Sequence, residues 1–247
     1  MKVSILVPVF NCCSYISTCI DSICNQNYQD IEIIVIDGGS YDGTIAIVAN
    51  YGLQVSHFIS QKDSGMYDAV NKGLQVASGD VIGILNADDY FPDKNVVSSI
   101  VDCFIDKGCE AVYGNLNYVR RDEVHRIIRR WKSRSFTANA IRLGWMPAHP
   151  TVYIKRSTYH NFGPYLLNFG SCGDYELMLR YFFTHKIRAH YLDKFLVNMR
   201  EGGMSNGSMR KRYHALLNDY NILVYSKVPN PMLVTIVKRL RKINQYF

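Results

Sequence analysis

Two adjacent carboxylates, Asp88 and Asp89, follow the apolar run Val81–Leu85. Carboxylates that close repel each other unless a cation lies between them. Mg2+ and Mn2+ favour hard oxygen ligands, and Mg2+ is often held by one or two carboxylates plus substrate phosphates. So small an acidic pair therefore implies that a diphosphate completes the shell; the alternative is a solvated turn ahead of Pro92. A second cluster, Asp37-Gly38-Gly39-Ser40-Tyr41-Asp42-Gly43-Thr44, departs from the G-x-G-x-x-G dinucleotide fingerprint and leads with an acid. A carboxylate there would repel a pyrophosphate, yet it can accept a hydrogen bond from a nucleobase N–H or a ribose hydroxyl. The competing reading is a turn with a helix N-cap. A third stretch, Asp63 to Gly73, is a glycine-containing loop leading into a helix with Lys72 on its first turns, which suits an anionic or nucleotide ligand.

These clusters need elements that bring them together. In the first half, apolar runs at Val3–Val9, Ile31–Ile36, Val55–Ile59, Val81–Leu85 and Ala111–Tyr113 predict strands. Between them, helical spacing appears at Ile16–Ile23, Gly43–Val48, Ala69–Ala77 and Val96–Phe104. Strands alternating with helices of this length predict an α/β fold with a mostly parallel sheet and helices on both faces. In such sheets ligands bind beyond the carboxyl ends of the strands, where Asn11, Asp37–Thr44 and Asn86–Asp89 all fall. The second half is less regular. It carries a basic stretch at Arg120–Arg134, a helix over Asp174–Thr184, an extended segment over Ile187–Val197, and helices over Met209–Tyr225 and Met232–Ile243.

The 247 residues carry a net charge of +7, unevenly spread. Residues 1–118 hold 5 Lys+Arg and 14 Asp+Glu; residues 119–247 hold 23 and 7. An acidic half suits a cation, and a basic half suits phosphate, nucleic acid or an anionic membrane. The 7 cysteines form no C-x-x-C pair, so they read as reduced thiols of a cytosolic protein rather than a zinc site. No apolar stretch reaches the roughly 18 residues of a membrane span, and no secretion signal is read at the start.

Taken in order, Pro8-Val9-Phe10-Asn11, the Asp37–Thr44 cluster, Lys62 through Gly73 and Leu85-Asn86-Ala87-Asp88-Asp89 resemble family 2 glycosyltransferases, inverting enzymes of the GT-A fold. The resemblance covers residues 1–115, and the Asp63–Lys72 block is similar to the branch that builds bacterial surface polysaccharides. In the second half, Gly173-Asp174-Tyr175-Glu176-Leu177 resembles the segment that usually reads Glu-Asp-Tyr-Glu-Leu, with glycine where glutamate is frequent. Arg200-Glu201-Gly202-Gly203-Met204-Ser205 resembles a loop near the donor diphosphate and acceptor, and His149-Pro150 resembles a stretch of the acceptor half.

The resemblance implies transfer of a sugar, a hexose by expectation, from a nucleotide-diphosphate donor, with a UDP-sugar the first choice. Asp174 is the implied catalytic base. Asp37 is to bind the nucleobase, Asp88 the ribose or metal, and Asp89 the Mn2+ or Mg2+. Pro8, Phe10, Asn11, Ser40, Asp63, Tyr67, Lys72 and Asn86 are to complete the donor site. His149, Glu176, Arg200, Gly202 and Ser205 are to face the acceptor and diphosphate. The implied acceptor is a glycan or a polyprenyl-diphosphate-linked sugar of exopolysaccharide, capsule or O-antigen synthesis, including lipopolysaccharide. Residues 1–115 form the expected donor half, 116–228 the acceptor half of the same GT-A domain, and 229–247 a basic amphipathic tail. A cytoplasmic protein attached peripherally to the inner face of the membrane follows from that tail, whose Lys238, Arg239, Arg241 and Lys242 could meet anionic lipid. Two rivals stand beside this reading: a non-catalytic sugar-binding module, and a nucleic-acid-binding protein using the basic half. The second lacks any recognition motif, so no nucleic acid is expected.

Overall fold

The computed structural model of the chain describes residues 1–123, 125–137, 140, 144–202 and 209–243. Every residue of β1 (Val3–Val9) is buried, as an unbroken apolar run in the middle of a parallel sheet must be. Its side chains alternate between two cores. Val3, Ile5, Val7 and Val9 pack with α1 (Ile16–Cys24) and α4 (Val96–Lys107), whereas Leu6 packs with α3 (Met66–Val76) and elements of the second half. Parallel pairing joins β1 to β2 (Ile31–Asp37) and β4 (Val81–Ile84), and β2 to the edge strand β3 (His57–Ser60). The short α2 (Thr44–Ala49) follows the Asp37 loop.

The second half adds β5 (Ala111–Val119), β6 (Ile127–Trp131), β7 (Tyr153–Lys155) and β8 (Ala189–Arg200) to the same sheet. The order is β3-β2-β1-β4-β7-β5-β6, with β8 also on β5. β7 is antiparallel to both β4 and β5, and β8 is parallel to β5. Two antiparallel steps restore the direction of β4, so β5 and β8 end at the same edge as β1, β2 and β4. Register places Val119 beside Arg200 there, and a bridge from Tyr90 to Asn198 ties the β4 loop to β8. α5 (Arg156–Phe162), α6 (Gly173–Met178) with a π-helical continuation over Leu179–Thr184, α7 (Met209–Tyr225) and α8 (Pro231–Ile243) complete the chain.

At the opposite edge, buried Glu32 accepts hydrogen bonds from Lys2 Nζ (2.8 Å), Ser4 Oγ (2.6 Å), and Ser78 N and Oγ (2.9 and 2.6 Å). Burial alone would raise its pKa, but these donors outweigh it and hold the carboxyl at about 2. On α8, Lys238 does not join a basic outer face as expected. It is buried, pairs with Asp219 at 2.7 Å and lies over the Tyr175 ring.

Candidate functional site

The β1 and β2 loops are laced together before any ligand arrives. Asp37 was the expected nucleobase ligand, but it is fully buried. Its carboxylate accepts the N–H groups of Gly39 and Ser40 and the Ser60 hydroxyl (2.7 Å), so it shapes the turn. Asn11, at φ 48°, donates its N–H to Ser40 Oγ (2.7 Å), and its Oδ1 accepts from Tyr41 N (3.0 Å). Pro8 is buried inside β1. Phe10, by contrast, is 54% exposed and meets the still more open Tyr41 edge-on at 6.1 Å, an aromatic platform at the strand ends.

The β3–α3 loop lies against the end of β2. A Cβ on Gly38 would fall 2.4 Å from Asp63 Oδ2, so the absent side chain at 38 leaves room for a carboxylate arriving from another loop. Asp63 Oδ1 accepts from Gly65 N, which fixes that approach. Lys72, expected at the nucleotide, donates instead to the Lys62 carbonyl (2.9 Å) and approaches Asp68 (3.5 Å), bracing the loop.

Tyr67, on the first turn of α3, faces away from this platform and into the second half. It stacks on Tyr165 at 4.9 Å, and Asn71 pins the Tyr165 backbone through two hydrogen bonds. Asp174 lies beside its phenol; burial first, then that negative charge, raises its pKa. The ring rests on Gly173, where a Cβ would meet it at 2.8 Å, so the glycine that departs from the usual Glu-Asp pair makes space for Tyr67. His149 packs edge-on against both Tyr67 and Tyr165, and among the described residues neither ring nitrogen has a hydrogen-bond partner. Burial lowers its pKa, opposed by the charge of Asp174. Glu176 departs from its expected role: fully buried, it gives both oxygens to Arg180 (2.8 and 3.0 Å) and locks α6.

At the end of β4 the two acids separate. Asp89, expected to hold the metal, is 1% exposed and accepts from Asn86 Nδ2 (3.0 Å) and the Arg200 N–H (3.2 Å). Burial, and next the charge of Asp88, push its carboxyl above the ordinary range. Asp88 is the open carboxylate, its side chain 24% exposed. Around it stand Arg200, which is nearly buried and donates to the Asp88 carbonyl, and Arg121, 3.8 Å from Asp88 Oδ2. Both guanidinium groups lie over the Tyr15 ring, at 4.9 and 4.7 Å. Gly202 turns at φ 87° beside Arg121, and Ser205 lies outside the described residues. Arg121 and Tyr15 escaped the sequence reading because neither sits in a motif; the sole signal was the basic run that begins at Arg120.

Among the described residues no three His, Cys, Asp or Glu side chains converge on one point. A divalent ion still fits the β4 end. Asp88 offers a hard anionic oxygen, and Asn86 Oδ1 is a buried oxygen with no donor. Such a partial set relies on substrate oxygens and water for the rest of the shell.

The fold is similar to that of known proteins. TarS of S. aureus in complex with UDP-GlcNAc superposes with a TM-score of 0.69 at 14% identity, spanning 100% of this chain and 93% of that one. The mannosyltransferase PcManGT from Pyrobaculum calidifontis, in complex with GDP-Man and Mn2+, gives 0.66 at 18% identity over 96% of this chain and 68% of its own. A PGL/p-HBAD biosynthesis glycosyltransferase of Mycobacterium bovis is 26% identical over 216 residues, 85% of this chain and 81% of its own. An uncharacterized glycosyltransferase of Mycobacterium tuberculosis is 31% identical over 182 residues, 72% and 68% of the two chains. Residues 4–183 match the profile described as Glycosyl transferase family 2. With that match running from β1 through α6, and a GT-A fold to carry it, the chain belongs to glycosyl transferase family 2.

Proposed function

We propose that the chain transfers a sugar, with inversion, from a nucleoside-diphosphate sugar to a hydroxyl of a glycan or polyprenyl-diphosphate-linked acceptor during synthesis of a bacterial surface polysaccharide. The observation that carries this reading is the contrast at the end of β4. Asp89 is turned inward and hydrogen-bonded, whereas Asp88 is left open to the cleft beside two guanidinium groups. That arrangement suits a diphosphate brought in on a cation. The complexes of TarS with UDP-GlcNAc and of PcManGT with GDP-Man and Mn2+ support a nucleotide-sugar donor and a divalent ion.

The residues divide the work. The nucleobase stacks on the Phe10–Tyr41 platform, and Asp63, rather than Asp37, accepts its ring N–H. Asp88 holds the Mn2+ or Mg2+, with Asn86 Oδ1 as the second protein oxygen. When bound, that ion neutralises the diphosphate and stabilises the charge developing on the leaving group. Asp174 takes the proton of the acceptor hydroxyl as its oxygen bonds to the anomeric carbon and the bond to the diphosphate oxygen breaks. One displacement from the opposite face inverts the centre. Positioned proton transfer of this kind is worth about 10²–10⁴ in rate.

A thermal-shift screen of UDP-, GDP- and dTDP-sugars with Mn2+ identifies the donor, because a ligand raises apparent stability by mass action. On that donor, Asp174→Asn binds with near wild-type affinity and transfers nothing. Transfer within tenfold of wild type would remove Asp174 as the base.

The lipid-linked acceptor brings the surface of α8 into the same proposal. Met232, Leu233 and Ile236 are 69, 59 and 52% exposed. No acidic residue follows Asp219, while Lys227, Arg239, Arg241 and Lys242 add positive charge beside the Lys238 that Asp219 pairs. An apolar face within a basic segment suits an anionic lipid surface, and no helix among the described residues is long and apolar enough to cross a membrane.

A further inference from the structure

We propose that Arg121 is a diphosphate-binding catalytic residue that neutralises Asp88 while the metal is absent and moves its charge onto the donor when metal and donor are bound. The inference rests on the reading that Asp88 holds the metal, and it deepens that reading. Arg121 lies just past β5, at the edge where β1, β4 and β8 end. Its position is built. Nε donates to the Tyr15 hydroxyl (3.1 Å), one terminal nitrogen donates to the Glu201 carbonyl (3.0 Å), and the guanidinium lies over the Tyr15 ring. These contacts hold the cation 3.8 Å from Asp88 Oδ2, an ion pair without a hydrogen bond.

That spacing has a chemical use. A carboxylate awaiting a divalent ion gains from a nearby positive charge, and a pair this loose is easily exchanged. A diphosphate on a cation held by Asp88 would come within reach of the same guanidinium. The planar fork of arginine matches phosphate oxygens, and a lysine supplies only a point charge. Arg121 therefore competes with the metal alone and cooperates with the metal–diphosphate pair. The side chain is 35% exposed, so it can turn toward a phosphate without unpacking the core.

These opposite signs give the test. Titration calorimetry with Mn2+ alone, then with UDP and with GDP at saturating Mn2+, compares wild type, Arg121→Ala, Arg121→Lys and Asp88→Asn. We expect Arg121→Ala to bind Mn2+ alone about two- to fivefold more tightly, the scale of a partly exposed ion pair. It should bind the nucleoside diphosphate about 10–100-fold more weakly, the scale of a lost charge-assisted hydrogen bond. Its kcat should fall by at least as much. Arg121→Lys should restore the wild-type Mn2+ affinity and recover only part of kcat. A Mn2+ affinity that is unchanged or weakened in Arg121→Ala, or a diphosphate affinity within twofold of wild type, would overturn the proposal. Asp88→Asn keeps the two levels apart: if it binds Mn2+ and diphosphate normally, the metal assignment itself is wrong.

Discussion

Gly173→Ala probes the junction between the two halves of the site with a single methyl group. The backbone at 173 is ordinary helix (φ −60°), so any penalty comes from space alone. The new Cβ would lie 2.8 Å from Tyr67 Cδ2 and 2.9 Å from Cε2. Reaching normal contact requires the ring to retreat by roughly 0.6–1 Å. It has little room, because Tyr165 is stacked on it and His149 meets its edge. Overpacking of this kind costs about 1–3 kcal/mol, against up to about 1 kcal/mol gained by replacing glycine in a helix. A net loss of about 1–2 kcal/mol lowers Tm by about 2–8 °C in a domain of this size. The larger effect falls on rate. Tyr67 lies beside Asp174 and against Gly173, and a misplacement near 1 Å can cost about 10²-fold. Thermal melts and transfer kinetics on Gly173→Ala, Tyr67→Ala and the double variant test this. The double variant should lose less than the sum of the singles, since removing the ring removes the clash. If Gly173→Ala matches wild type in both Tm and kcat, or if its cost is the same without the Tyr67 ring, the junction does not work this way.

At the end of β4, Asp88→Asn should abolish metal-dependent turnover at near wild-type stability, because its side chain is partly exposed. Asp89→Ala should lower stability by about 1–3 kcal/mol, measured by urea unfolding, since it strips the acceptor from Asn86 and the Arg200 N–H. Glu32 makes stability pH-dependent. Its folded pKa, held at about 2, lies below the unfolded value, so its contribution is complete above about pH 5 and fades as pH falls toward 2. The shift corresponds to about 3 kcal/mol, or roughly 2 after allowing for the solvent around Lys2. Unfolding of wild type and Glu32→Gln should therefore differ by that amount at pH 7 and converge near pH 2. Replacing Met232, Leu233 and Ile236 by Ser should weaken co-sedimentation with phosphatidylglycerol vesicles and leave nucleotide affinity intact, whereas a wild-type protein that ignores such vesicles at low salt removes the membrane surface from the proposal.

The strands that were legible in the sequence are those whose burial is self-contained. β1, β2 and β4 are covered on both faces, so each shows as an apolar run whatever the rest of the chain does. β5 shows only as Ala111–Tyr113, yet the strand continues through Asn115 and Asn117 to Val119. Those asparagines are buried because Asp193, Tyr191, Ser133 and Asn198 arrive to bond them, and no local pattern announces partners so distant. β6 reads as Ile-Ile-Arg-Arg-Trp, an exposed edge whose arginines lie over Tyr118, Trp131 and Phe195, and in sequence this is merely a basic stretch. β7 has three residues, too few for any periodicity.

The same distinction governs the site. Motif positions could be placed at strand ends from sequence, because parallel strands carry their ends to one edge. Which neighbour faces the cleft could not. Asp88 and Asp89 are equivalent as letters, and the choice between them is made by the Arg200 amide, 111 residues later, which draws Asp89 inward. Asp37 is claimed by its own turn and by Ser60, while Asp63 approaches from another loop across the gap left at Gly38. Gly173, a defect when compared with the usual Glu-Asp pair, becomes intelligible only once Tyr67 is seen resting on it. In each case the motif supplies a carboxylate, and long-range packing decides whether that carboxylate is structural or free to meet a ligand.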